Sequence, residues 1–364
     1  MKINNTFILS RFFLLNILLL ALGVLFFYIN EILLGLYSVL LSGVIFLFTV
    51  FLSHLIKLKF NLILISVFFS YSFLNNGINN GIDFNEILFF LIGQFILLLS
   101  TNHLNISNSI YHLINRSMLP FLLLNIWILW NERLNLSGMA ISNVWENPNS
   151  LAIAVLCPFF LQFATIEPKK SIFTSFTIFV SLILCFIIIY FTSSRSSLIC
   201  LLLGILLVDK RLINKISIKK LYLLYLTPLL VPIIIFIIYL VIGDQFITDL
   251  KIYRNVWIIS LQQYYDFDLS YNSDYGLNSI IFAINNYGFL YFIYFFVIGY
   301  FIYFKNTTLV TRSLILFSIL HIHEIFESSL TSGSYGLIFF KAALLITHNY
   351  EQTQIKNKHN NTNF

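Results

Sequence analysis

The chain has 364 residues, of which 59% are hydrophobic and 10% are charged, and its formal net charge is +6. So little polar surface excludes an ordinary soluble domain and predicts an all-α polytopic membrane protein. The positive charge belongs to lysines and arginines in predicted loops, so it indicates helix orientation and does not imply a nucleic-acid partner.

Apolar runs separated by polar breaks predict about twelve transmembrane helices, several of them shorter than a full bilayer crossing. By residue number the runs are 12–29, 32–52, 60–74, 86–100, 117–130, 150–166, 172–192, 197–208, 221–242, 286–304, 312–327 and 333–347. We therefore expect a single integral membrane domain at 1–347, with a longer outer loop at about 243–277, and a polar cytoplasmic tail at 348–364. The first run lacks a small-residue cleavage site, which predicts a retained span.

The distribution of basic residues predicts a cytoplasmic N-terminus, because all but five of the 21 lysines and arginines then fall on the inner side. The five exceptions are Arg133, Arg195, Lys251, Arg254 and Lys341. They could line an anion site on the outer side, where most of the acidic residues also fall.

Arg195 lies within the apolar segment FTSSRSSLICLLLG, at 191–204. A cation at membrane depth usually faces a cavity, a partner or a substrate. Ser193, Ser194 and Ser196 suit a helix N-cap, and a helix N-terminus beside an arginine favours phosphate. The alternative is that Arg195 only anchors the helix end at the outer headgroups.

Two further outer segments could contribute to such a site. Asn149 is a plausible N-cap of the sixth span, which would bring a second helix N-terminus to the same region. In the outer loop, Arg254 and Trp257 would share one face of a helix. The aromatic and acidic stretch QQYYDFDLSYNSDYG that follows suits sugar rings, although an interfacial aromatic belt has the same composition.

On the eleventh span, His321, Glu324 and Glu327 fall on roughly one helical face. The sequence offers no matching ligands elsewhere, so no metal site is predicted. Lys341 on the twelfth span could pair with Glu324 or Glu327 as a structural bridge. The three cysteines at 157, 185 and 200 lie in apolar runs and are interpreted as packing residues.

The order of these features resembles the O-antigen polymerase and ligase family over about residues 145–345. The matching elements are the Asn-Pro-like segment at 147–150, Ser194 with Arg195, and Arg254 in the long outer loop. Ligases of this family also carry a histidine-asparagine pair followed, nine residues later, by Gly-x-x-Gly. Here Asn278 and Gly288 keep that spacing, but Leu277 and Tyr291 replace the histidine and the second glycine. The missing histidine favours a repeat-unit polymerase.

The resemblance implies a glycosyltransferase of the bacterial inner membrane with its site facing the periplasm. It would polymerise undecaprenyl-diphosphate-linked oligosaccharide repeat units into O-antigen or capsular polysaccharide, with lipid-linked glycan as both donor and acceptor and with no cofactor. Arg195 and Arg254 would stabilise the departing diphosphate, and Asp274 or Glu324 would act as general base. The predicted substrate-binding residues are Asn149, Ser194, Trp257, Asn278, His321 and Lys341.

Two alternative functions remain open on the sequence. One is an O-antigen ligase that transfers finished glycan to lipid A core. The other is a flippase or transporter of lipid-linked sugars, a class that often shows inverted repeats, which we do not find in this sequence. Membrane lipid is an expected partner in every case, and a chain-length regulator is a further candidate partner for a polymerase.

Overall fold

The computed structural model describes the chain in separate ranges. These are 60–101, 148–165, 172–242, 278–326 and 338–361, with shorter pieces inside 15–45, 123–127 and 257–262. The predicted spans at 12–29, 32–52 and 117–130 lie mostly outside the described residues, as does the predicted outer loop at 243–277.

Within the described ranges every regular element is a helix, which confirms the predicted all-α class. The helices are α1 (Phe60–Asn79), α2 (Phe84–Ser100), α3 (Pro148–Ala164), α4 (Ile172–Phe191), α5 (Arg195–Leu207), α6 (Lys210–Ile213), α7 (Ile218–Tyr225), α8 (Thr227–Ile242), α9 (Ser279–Tyr287), α10 (Leu290–Tyr300), α11 (Arg312–His323) and α12 (Ile338–Asn361). A π-helical turn, Phe301–Lys305, continues α10.

Helix α11 lies at the centre of the bundle. Apart from Arg312 and Ile322, its side chains are all buried, and it packs against α3, α5, α7 and α12. A helix that is apolar on nearly every side is expected in an interior position, because no face of it favours water. The eleventh predicted span therefore forms the core against which the other helices are arranged.

Helix α5 runs antiparallel to α11. The thiol of Cys200 donates a hydrogen bond to the carbonyl of Ile319 at 3.4 Å, and Gly204, one turn later, faces Leu316. A Cβ atom at Gly204 would lie 2.7 Å from the ring of Phe160 on α3 and 3.2 Å from the Leu316 side chain. The absent side chain at Gly204 thus lets α3, α5 and α11 approach closely. Because α5 and α11 are antiparallel, α5 begins at the end of the bundle where α11 finishes.

Helix α12 also runs antiparallel to α11. Lys341 contacts Glu324 just beyond the last turn of α11, whereas His348 contacts Thr311 just before its first turn. These two contacts define the ends of the bundle, which we call the Glu324 end and the His348 end. Helix α12 continues well past residue 347, and His348, Asn349 and Gln352 of the predicted tail are buried.

The ninth predicted span, 221–242, is not one continuous helix. Helices α7 and α8 meet at an angle of 62°, with Leu226 as the C-cap of α7. Pro228 sits in the first turn of α8, where its missing N–H has no intrahelical partner to lose. Among the described helices, no single one is both long enough and apolar enough to cross a membrane, whereas this bent pair meets both criteria together.

The tenth predicted span, 286–304, begins later than expected, at Leu290. Gly288 ends α9 with φ of +90° and ψ of 163°, a conformation essentially restricted to glycine. Asn76 of α1 donates a hydrogen bond from Nδ2 to the carbonyl of Tyr287 at 3.2 Å. The chain therefore turns sharply at Gly288 against α1 before α10 starts.

Much of the outer surface of the described helices is apolar. The exposed large side chains of α4 follow a helical stripe along one face: Phe176, Phe179, Ile183, Phe186, Ile187 and Tyr190. Helix α8 exposes a second group: Ile234, Ile237, Leu240, Val241 and Ile242. Meanwhile the interior holds many polar side chains, so the usual distribution of polar and apolar residues is partly inverted.

Candidate functional site

An ion pair is buried at the Glu324 end of the bundle. Nζ of Lys341 lies 2.7 Å from Oε1 of Glu324, and the two residues are only 5% and 1% exposed. Glu324 is the C-cap residue of α11, and Lys341 lies in the first turn of α12. The sequence allowed this pairing as a structural bridge, and the structure confirms it. A single buried charge would be costly, so each residue depends on the other.

His321 lies one turn before Glu324 on the same face of α11. Its Nδ1 is 3.0 Å from the carbonyl of Phe317, and because a carbonyl only accepts, Nδ1 must carry the hydrogen. Its Nε2 therefore points toward the carboxylate and lies 3.4 Å from Oε2 of Glu324. The side chain is fully buried against the rings of Tyr225 and Phe317, so it does not face outward in the described structure.

These three residues line a small cavity that leaves room for about one water molecule. Its other polar lining comes from Gln94 of α2, Tyr225 of α7 and the tyrosines of α10. Sequence reasoning missed Gln94 and Tyr225, because each lies in an apolar run with no motif around it. The hydroxyl of Tyr225 donates to the carbonyl of Phe295 at 2.6 Å, which fixes the ring beside His321.

Asn278 connects the start of α9 to the end of α11. Its Oδ1 accepts hydrogen bonds from the N–H groups of Ile280 and Ile281, and its Nδ2 donates to the carbonyl of Ile325 at 3.1 Å. The N–H of Ser279 donates to the carbonyl of Glu324 at 3.0 Å. Asn278 is thus an N-cap as well as an inter-helix link, and it is fully buried.

Trp257 belongs to the same region. It is 1% exposed and packs with Ile281 and Ile325, and its ring centroid lies 6.1 Å from that of Phe326. Two segments distant in sequence, around 257 and around 278–281, therefore converge on the residues that follow α11. The structure brings together five of the predicted site residues at this end, those at 257, 278, 321, 324 and 341.

Arg195 is the first residue of α5, with Ser194 at the N-cap position as the sequence suggested. However, the Ser194 hydroxyl bonds to that of Ser197 at 3.0 Å and makes no capping bond to the backbone. The Arg195 side chain is exposed, while Ser194 and Ser196 are buried. Since Arg195 precedes Cys200 by about 7.5 Å of helix, it lies at the Glu324 end.

Asn149 does not have the predicted role of N-cap. Helix α3 begins one residue earlier, at Pro148, a residue type that suits the first helical position. The Asn149 backbone lies beside the ring of His323, a fully buried residue of α11 that sequence reasoning did not single out. The start of α3 is therefore at the Glu324 end, and Asn149 lies inside the helix, one residue after its first position.

The remaining predicted site residues lie outside the described part of the chain. These are Arg254 and Asp274, together with Glu327, the alternative partner of Lys341. A joint contact of Arg195 and Arg254 with one diphosphate stays a prediction. Within the described ranges, no group of three or more histidine, cysteine or acidic side chains is placed to hold a metal ion. All three cysteines are buried and in the free thiol form.

In the ranges that the structure describes, the chain is a helical bundle with an ion pair and a histidine buried near one end. No family model, curated protein or solved structure matches the chain.

Proposed function

We propose that the chain is a membrane glycosyltransferase that polymerises undecaprenyl-diphosphate-linked oligosaccharide repeat units on the outer face of the bacterial inner membrane. The observation that supports the proposal is the gathering of sequence-distant polar residues at one end of the bundle. Glu324, His321 and Lys341 lie there, Asn278 is tied to the same segment, and the helix that starts with Arg195 begins at that end.

The apolar surface supports the membrane part of the proposal. The stripe on α4 and the group on α8 would each cost free energy if left in water, at about 25 cal/mol per Å² of apolar area. A lipid bilayer removes both from water at once. Three lysines of the predicted cytoplasmic loops lie toward the His348 end, away from the Glu324 end. They are Lys219 and Lys220 at the start of α7 and Lys305 after α10.

The proposed reaction needs two contributions from the protein, namely stabilisation of the leaving group's charge and a general base. An acceptor hydroxyl oxygen attacks the anomeric carbon of the donor, the bond from that carbon to the phosphate oxygen breaks, and undecaprenyl diphosphate leaves with the electron pair. Arg195 and the positive end of α5 stabilise the charge on the leaving group, with Arg254 as the proposed second cation. Glu324 takes the proton from the acceptor hydroxyl as general base.

A strain that lacks the gene tests this proposal through its surface glycans. If the chain is the polymerase, the strain carries single-repeat caps in place of a ladder, and complementation restores the ladder. Lipid A core without glycan, beside intact lipid-linked polymer, would instead indicate a ligase. Accumulation of inward-facing lipid-linked units would indicate a flippase.

The second candidate is a proton-coupled transporter of lipid-linked sugars. The observation that favours it is the buried set of His321, Glu324 and Lys341 around a water-sized cavity, since ionisable groups inside membrane proteins often relay protons. Proteoliposomes separate the two candidates. Movement of a lipid-linked sugar that follows an imposed pH gradient, without polymer formation, would favour the transporter.

A further inference from the structure

Two stripes of exposed apolar side chains run toward the His348 end of the bundle. One follows α5 with helical spacing, at Ile199, Leu202 and Leu206. The other follows α10 and its π-helical turn, at Ile293, Tyr300 and Phe304. This second stripe reaches the His348 end because Thr307, two residues past the turn, contacts His348 at 2.9 Å. Both stripes are followed along the chain by exposed lysines.

Contacts between α7 and the π-helical turn bring lysines of two segments to one corner of the bundle. The ring centroid of Tyr222 on α7 lies 4.9 Å from that of Phe304 in the turn. Lys219 precedes Tyr222 by three residues, so it lies on the same side of α7, and Lys305 directly follows Phe304. Lys219, Lys220 and Lys305 are all exposed, and we term these three residues the lysine corner.

Among the described side chains, positive charge is in excess at this end. The described acidic residues here are Asp209 and Glu351, and Glu351 accepts a hydrogen bond from the N–H of Ser313. The described basic residues here are Lys215, Lys219, Lys220, Lys305 and Arg312. Five positive and two negative side chains leave a net charge of +3 even with both carboxylates ionised. Protonation of His348 would only add to this charge.

Local helix stability does not account for Lys219 and Lys220. Both lie in the first turn of α7, where the helix carries its partial positive charge and where cations are disfavoured. Ser217 caps this turn by accepting a hydrogen bond from the N–H of Lys220, and no acidic residue lies in the turn. An anion outside the protein would offset the repulsion between the lysines and the helix end.

We propose that the lysine corner binds the headgroup phosphate of an anionic phospholipid in the leaflet next to the His348 end. Lysine ammonium groups bind phosphate as point charges, and basic residues at a membrane surface attract anionic lipid. Phe304 and Leu223, beside the lysines, are 49% and 57% exposed. These side chains and the two stripes contact the acyl chains of the same lipid, which a soluble anion does not possess. The combination of charge and apolar surface therefore fits a phospholipid.

The test is the lipid preference of the purified full chain in phosphatidylcholine bilayers. Spin-labelled phosphatidylglycerol and spin-labelled phosphatidylcholine report how strongly each lipid is held at the protein surface. We expect wild type to prefer phosphatidylglycerol at low salt and to lose that preference at high salt, because salt screens exposed charges. Lys219→Gln with Lys305→Gln should lower the preference about fivefold for each lysine removed. Lys219→Arg with Lys305→Arg keeps both charges and is the matched control, which should retain the preference.

This inference rests on the membrane placement within the proposed function and not on the glycosyl transfer. A chain that enters bilayers of neither composition would overturn both the placement and the lysine corner as a lipid site. A chain that inserts but holds the two lipids equally would overturn the lipid site alone, as would a glutamine variant with the wild-type preference. Wild-type protein that makes no polymer but prefers phosphatidylglycerol would overturn only the reaction.

Two measurements on wild type keep the proposal testable if the glutamine variant does not fold. A preference for phosphatidylglycerol that is the same at low and high salt would contradict binding through exposed lysines. Inorganic phosphate, added at constant ionic strength, should leave the preference unchanged. If it abolished the preference, the corner would be a site for a soluble anion and the phospholipid would be excluded as its ligand.

Discussion

Nζ of Lys341 and Oε1 of Glu324 lie 2.7 Å apart and join the first turn of α12 to the end of α11. Both side chains are buried, and Lys341 also lies 5.8 Å from the centroid of the Phe317 ring. Burial makes either charge costly without the other. The pair therefore fixes α12 against the central helix at the end where the candidate site is located.

The ion pair predicts a non-additive effect on stability. Lys341→Met leaves Glu324 buried without its cation and should lower the free energy of unfolding by about 3–5 kcal/mol. Adding Glu324→Leu should restore most of that loss, because the unpaired charge is then gone. Thermal unfolding of the purified protein in detergent measures both steps. If the Lys341→Met/Glu324→Leu double variant were no more stable than Lys341→Met alone, the unpaired Glu324 charge could not be the cause of the loss.

Arg195→Lys tests whether Arg195 binds diphosphate or anchors a helix end. A lysine keeps the charge but not the planar two-donor contact, so we expect the polymerisation rate to fall about 100-fold. The measurement is the surface-glycan ladder of a complemented deletion strain at matched protein abundance. Arg312→Lys, at the His348 end, is the matched control and should keep the ladder. A full-length ladder from Arg195→Lys would mean that the residue is an anchor.

Gly288→Ala should destabilise the protein for two separable reasons. The residue has φ of +90°, and a Cβ atom there would lie 2.4 Å from Nδ2 of Asn76. Gly81→Ala is a control for positive φ alone, since Gly81 has φ of +73° with no atom within 4 Å of the position of a Cβ, whereas Gly288 also has a ψ of 163°. The control should lower the free energy of unfolding by about 1–2 kcal/mol through backbone strain, and Gly288→Ala should lower it clearly more. Equal losses of unfolding free energy in the two variants would show that the Asn76 side chain moves aside without a loss of stability.

Glu351, within the predicted cytoplasmic tail, predicts a pH dependence of stability. Burial raises the pKa of its carboxyl to about 7, although hydrogen bonds from Thr311 and Ser313 and the charge of Arg312 oppose the shift. The folded state therefore holds an extra proton between about pH 4.5 and 7. Stability from this group is complete below that range and is lost as the pH rises through it.

Glu351→Gln should consequently be more stable than wild type at pH 8, by about 1 kcal/mol after allowance for solvent screening. At pH 5 the two proteins should unfold at similar temperatures, because glutamine resembles the protonated carboxyl. His348, one turn earlier, is present in both proteins, so their difference isolates Glu351. A difference that stays constant between pH 5 and pH 8 would exclude this account.

Reporter fusions test the proposed membrane topology. We expect a fusion after Lys358 to report a cytoplasmic C-terminus and one near Ser270 to report an outer loop. Either fusion reporting the opposite side would reverse the orientation, and the candidate site could then not face the periplasm.

Some of the candidate site was predictable from the sequence. His321 and Glu324 share a helical face by their spacing alone, and Lys341 was the available cation on the next span. The role of Asn278 was not predictable, because the carbonyl that it binds belongs to Ile325, 47 residues away. The same holds for Tyr225, whose ring reaches His321 only after α7 packs against α11.

The sequence by itself determined that the chain is apolar, that its described part is helical, and the approximate bounds of α2, α3, α4 and α5. Those properties depend on composition and on local periodicity, which neighbouring residues set. Only the tertiary structure decided that α11 is central, that α7 and α8 bend at Leu226, and that residues of the predicted tail are buried. These features depend on contacts between residues far apart in the chain. Such contacts form only when whole helical faces meet, and no local pattern encodes them.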